Sequence, residues 1–198
     1  MSEFALYFQI GWRHIVAWEG ADHILFIVAL SAIYLLSDWR KVLILVTAFT
    51  IGHSITLALS VLNVIRVPTR LIEFLIPVTI FITALFNIIR PPREDKPGAV
   101  QLNYFFALFF GLIHGMGFSN QLKSLLGTDA NVVKPLLAFN LGLEFGQVLI
   151  VTTALLVSGI IVNATGVKRR DWTMFLSSAI FGITFMMAID RFKELLIS

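Results

Sequence analysis

The string FGLIHGMGFS, from Phe110 to Ser119, sets His114 among glycines inside a stretch apolar enough to cross a bilayer. Asp22, His23, His53, Ser54, Glu73, Asn140, Glu144 and Gln147 also lie in, or at the ends of, hydrophobic spans. An ionisable side chain in hydrocarbon costs roughly 2.5 to 3.5 kcal/mol on insertion scales, so several of them in one small chain need a shared reason. Imidazole and carboxylate at this density suit a divalent cation such as Ni²⁺, Zn²⁺, Co²⁺ or Mn²⁺. There is no cysteine, so thiolate sites, disulfides and cysteine nucleophiles are excluded and copper(I) is disfavoured. Asn140, Gln147, Ser54 and Thr50 would then hold imidazole tautomers by hydrogen bonds around the ion.

Helical phase puts these groups on shared faces. Asn140, Glu144 and Gln147 stand at i, i+4 and i+7, and Thr50, His53 and Ser54 share an arc of their span. Gly111, Gly115 and Gly117 near His114, with Gly142 and Gly146 near Glu144, remove side chains where the fourth span would pack on the fifth. That contact is expected to bring His114 within reach of Glu144.

The elements that must position these residues follow from composition. Hydrophobic residues make up 58% of 198 positions and charged ones 14%, far from a soluble domain; the mean hydropathy is +0.87. The chain is therefore expected to be all-α, an integral membrane bundle of about six transmembrane helices forming a single transmembrane domain over 1–198. Hydropathy places spans at about 20–37, 41–63, 70–90, 101–122, 134–159 and 172–190. Residues 4–18, rich in aromatics with Arg13 and His14, read as an N-terminal interfacial segment. Successive spans alternate in direction, so the polar residues all fall toward the membrane face that carries the termini. The connectors carry turn signals, with PPREDKPG the most linker-like, and no internal repeat is evident.

The net charge of +3 is spread over short loops, which fits membrane topology and excludes a nucleic-acid surface. No cleavable signal peptide is expected. Lysine and arginine are slightly more numerous on the connectors opposite the termini, which leans toward both termini outside. Trp12, Trp18, Trp39 and Trp172 sit near span ends, as an aromatic belt requires, and the phenylalanines and methionines read as packing or lipid-facing residues. Glu19, Asp38, Glu94, Asp95 and Asp171 read as solvated loop charges. Taken singly, His114 could be a helix-to-helix hydrogen bonder, and Asp22 and Glu73 could face water or pair with Arg13 or Arg70.

GWRHIVAWEGADHILF, FTIGHSITLAL, Glu73, FGLIHGMGFS and FNLGLEFGQ together resemble the HupE/UreJ family of small bacterial membrane proteins, in order over residues 11 to about 150. The resemblance implies a multi-pass protein of the bacterial inner membrane, periplasmic at both termini on the charge bias above. It also implies a link to nickel supply and work as a metal permease. By position it carries the metal-ligand role to His14, Asp22, His23, His53, His114 and Glu144, leaving Glu73 with Thr50, Ser54, Asn140 and Gln147 as surrounding or pathway groups. The interval between His14 and Asp22 is longer than the family's usual one. Lipid and a metal ion are the expected partners, with a homo-oligomer or a metal-delivery protein beside them. No residue fixes which metal is bound.

The alternative is an intramembrane metal-dependent hydrolase. There the metal would activate water, with Asp22, Glu73 or Glu144 as general base and Ser54 or Asn140 binding an oxyanion.

Overall fold

The computed structural model describes residues 2–89, 99–126 and 132–197, with the side chains of Glu19 and residues 99–102 outside the description. The PPREDKPG connector, with Glu94 and Asp95, lies outside the described residues. Those residues are helical, without a strand: α1 Glu3–Val16, α2 Ala21–Ser31, α3 Trp39–Val61, α4 Thr69–Ile89, α5 Ala99–Gly117, α6 Ser119–Leu126, α7 Val133–Thr165 and α8 Arg169–Leu196. This is the expected helical membrane bundle.

By length and apolarity, residues 36–61 together with α4, α7 and α8 can each cross a membrane, and α1 with α2 forms a fifth candidate bent by 65° at its break. The six expected spans are reached only by also counting α5, whose 19 residues extend about 28 Å, close to the thickness of a hydrocarbon core.

Two departures from expectation concern packing. First, α1 is no free interfacial segment. Its Tyr7, Gly11 and Ile15, at helical spacing, are buried, and α1 lies along α7. Second, of the glycines near His114, Gly111 and Gly115 face α3 and Gly117 faces Ile76 and Ile72 of α4, none of them α7. A methyl on Gly111 would strike the Phe49 carbonyl and one on Gly115 the His53 carbonyl, while Gly142 sits against the Phe8 carbonyl and Gly146 against Ile15 and Val16. Glycine lets backbones touch, but only tertiary structure decides which partner takes the vacated space.

The third long pair is α4 with α8, where Phe81 stacks near Phe181 with ring centroids 4.5 Å apart. Pro77 inside α4 leaves the Glu73 carbonyl without its helical donor. Asp38, read from sequence as a solvated loop charge, instead binds Lys41 at 2.8 Å and Arg169 at 3.3 Å, tying the start of α3 to the start of α8.

Candidate metal centre

All four histidines of the chain meet between α1, α2, α3 and α5. The break after α1 makes this possible. Gly20 lies so close to the His14 carbonyl that any side chain there would collide with it, so α2 starts directly over the end of α1. This puts Asp22 and His23 in the first turn of α2 beside His14, one turn from the end of α1. His53 enters from the later half of α3, and His114 from the last turn of α5. Ring centroids are 4.6 Å apart for His14 and His23, 6.0 Å for His23 and His53, 6.1 Å for His14 and His53, and 5.2 Å for His23 and His114. His53 is fully buried, and His23 and His114 nearly so.

Hydrogen bonds fix two of the tautomers. Asp22 Oδ1 lies 2.9 Å from both the His23 backbone nitrogen and His23 Nδ1. An ionised carboxylate only accepts, so Nδ1 carries the proton and the neutral ring offers Nε2 as a lone pair. Thr79 Oγ1 donates its single proton to the Ile76 carbonyl at 2.7 Å. It must then accept from His114 Nε2 at 3.0 Å, which leaves His114 Nδ1 as the bare nitrogen.

These bare atoms are the ones without partners: His23 Nε2 and His114 Nδ1, with His14 Nε2 and both ring nitrogens of His53, are buried and make no hydrogen bond. Buried polar atoms are nearly always satisfied, so five orphan imidazole nitrogens in one cluster point to a ligand.

The donor set fits a divalent ion. One ligand atom each from His14, His23 and His53 lie within 4.8 Å of one another, and the same holds for Asp22, His23 and His114. Around a tetrahedral ion at ~2.1 Å the ligand atoms stand ~3.4 Å apart, so either group would close by no more than about 1.4 Å on binding. Phe26, Phe49, Phe118 and Phe139 wall the cluster. Phe118 lies 4.1 Å from the His14 ring, Phe49 and Phe26 each 5.2 Å from His114, and Phe139 stacks 6.4 Å from His53. Such walls exclude water and strengthen binding of a charge by the few polar groups present.

The other residues singled out from sequence lie elsewhere. Glu144 accepts from Thr47 at 3.1 Å on the outer surface of α3 and α7, apart from both ligand groups. Gln147 is fully buried one turn further on and accepts from Thr50 at 2.7 Å. Ser54 donates to the Thr50 carbonyl. Asn140 keeps a buried Oδ1 without a partner. Glu73 pairs with Arg191 at 3.6 Å, so its partner is neither Arg13 nor Arg70.

Thr79 and the phenylalanine walls were not singled out from sequence. A threonine two residues after Pro77 in an apolar span was the available signal for Thr79. The walls carried none, because phenylalanines abound in any membrane helix. A cavity of about 190 Å³ near the ends of α3 and α5 is lined by Asn63, Arg66, Ser119 and Lys123. Its two cations would repel a metal ion, which makes it a poor cation entrance.

No curated protein and no solved structure matches the chain. The family model described as HupE / UreJ protein matches residues 1–191, a span that takes in α1 to α7, every histidine and most of α8. The chain is a member of the HupE/UreJ family.

Proposed function

We propose that this protein is a permease for a divalent transition-metal ion, which it binds within the membrane on His14, His23, His53 and His114. The observation that carries this reading is the convergence of all four histidines with five unpartnered ring nitrogens. The family's association with metal uptake and accessory functions supports it. The ion is the cargo, and imidazole ligands suit nickel, zinc or cobalt. The protein would act in a bacterial inner membrane.

Within this reading Asp22, 21% exposed, is the edge of the cluster and the first group an arriving ion meets. Its carboxylate also holds His23 in the ligating tautomer. Glu144, facing outward with Thr47, is assigned to neither the binding step nor any chemistry.

The test is metal analysis of purified protein beside uptake into sealed vesicles, with His53→Ala and His114→Ala as controls. Stoichiometric metal and histidine-dependent uptake are expected. Metal-free protein, or uptake equal in the variants, would sink the proposal.

A further inference from the structure

We infer that residues 3–89 and 99–196 are two inverted copies of one four-helix unit, and that the transport proposed above proceeds by exchange between two packings in which these halves swap roles. Each half has four helices of which the second is the shortest, with 14, 11, 23 and 21 residues in the first half and 19, 8, 33 and 28 in the second. Gly11-x-x-His14 in α1 recurs as Gly111-x-x-His114 in α5, and Phe49-x-x-Gly52 in α3 recurs as Phe139-x-x-Gly142 in α7.

The contacts repeat with the residues. Gly11 abuts the Phe139 carbonyl and Leu143 nitrogen, and Gly111 abuts their counterparts, the Phe49 carbonyl and His53 nitrogen. Gly142 abuts the Phe8 carbonyl and Trp12 nitrogen, and Gly52 abuts the counterparts of those, the Leu108 carbonyl and Leu112 nitrogen. Two close contacts in the α1–α7 interface thus map onto two in the α3–α5 interface under a single exchange of halves. The exchange also carries Phe81 onto Phe181, which touch each other, as residues astride a two-fold axis do. It carries His14 against Phe139 at 5.8 Å onto His114 against Phe49 at 5.2 Å.

The copies are inverted. Along α1, Gly142 meets Phe8 and Trp12 while Gly146 meets Ile15 and Val16, so α1 runs parallel to α7; the contacts of Gly111 and Gly115 set α3 parallel to α5 in the same way. The first helix of each half thus runs with the third helix of the other. With three crossings per half, counting each first helix together with its short successor as one, the two halves enter from opposite sides. The axis then lies in the membrane plane, and inverted repeats of this kind carry cargo by rocking around a central site.

The histidines sit at that centre, and the halves are unequally packed there. α5 leans on α4 through His114 and Thr79, and through Phe106 and Phe86 with centroids 5.9 Å apart. The counterpart pairing, α1 on α8, is at most slight among the described residues. In the exchanged packing α5 leaves α4 and α1 closes on α8, so Leu6 meets Met186 as Phe106 now meets Phe86. The ion would pass from one ligand group to the other through His23, the residue common to both.

The chain has no cysteine, so paired cysteines report without background. Phe86→Cys with Phe106→Cys, and separately Leu6→Cys with Met186→Cys, are treated in sealed vesicles with a short bis-methanethiosulfonate, which joins two thiols through reducible disulfides, with and without Zn²⁺. Both pairs are expected to cross-link, Zn²⁺ shifting their ratio at least twofold, and either cross-link is expected to stop uptake until reduced. If 86 with 106 cross-links fully in all conditions and 6 with 186 never does, the exchange is overturned. Uptake is read separately. Cross-linking of both pairs without any uptake would refute the permease and leave the inverted exchange standing.

Discussion

Asp22 touches the centre through one oxygen that accepts two hydrogen bonds from His23, from the ring Nδ1 and from the backbone nitrogen, each at 2.9 Å. Replacing it with alanine leaves the His23 ring free to carry its proton on either nitrogen and to turn away from His14 and His53. Loss of a carboxylate that orients a ligating histidine costs ~10- to 100-fold in metal affinity, or about 1.4 to 2.8 kcal/mol. Asp22→Asn keeps an acceptor oxygen in place without the charge, so its loss should lie at the low end, near tenfold. Stability should fall as well. Alanine leaves the buried His23 Nδ1–H without its acceptor, so metal-free Asp22→Ala should lose about 1 to 3 kcal/mol of stability while Asp22→Asn, which keeps an acceptor oxygen, should lose less. Competitive titration of Zn²⁺ or Ni²⁺ against a chelator, with thermal melts of the same samples, separates the two effects. Asp22→Ala that folds and binds metal within twofold of the parent would refute the tautomer-holding role.

Four further outcomes follow from the same geometry. Thr79→Val removes the acceptor for His114 Nε2 while keeping its volume, so affinity should fall several-fold with the fold retained, as the same titration would show. Acid strong enough to protonate the histidines should release metal, because a protonated ring cannot ligate; metal retained until the protein itself unfolds in acid would count against histidine ligation. Gly111→Leu should abolish folded protein by colliding with the Phe49 carbonyl, whereas Gly159→Ala and Gly182→Ala, which meet nothing within 4 Å, should hold or raise stability by up to ~1 kcal/mol; size-exclusion profiles and melts decide. Glu144→Gln should leave metal stoichiometry unchanged, since its carboxylate binds Thr47 on the outer surface, and a lost equivalent of metal would return Glu144 to the site.

Hydropathy alone marked a helical membrane bundle, because of the two structures that satisfy a backbone in lipid, helix and closed barrel, only the helix suits continuous apolar runs of about twenty residues. The sequence also marked His23, His53 and His114 as candidate ligands, since a titratable group in an apolar span is costly wherever it points. His14 was legible only by resemblance: it stood in a segment that read as interfacial, and the docking of α1 on α7 through Gly11 and Gly142 is a contact between residues far apart in the chain.

Partner choice was likewise beyond the sequence. Gly115 and Gly146 announce close approach equally well to any helix, and only the packed bundle gives one to α3 and the other to α1. Glu144 and Gln147 share a helical face by spacing, yet the crossing of α3 over α7 turns Glu144 outward to Thr47 and buries Gln147 on Thr50. No repeat was evident from the sequence because the two halves share only a few glycines, phenylalanines and histidines among interchangeable apolar residues. Lipid-facing positions accept almost any apolar side chain, so they preserve no pattern. The positions where backbones touch across the bundle accept only glycine, and their pairing exists only once the chain has folded.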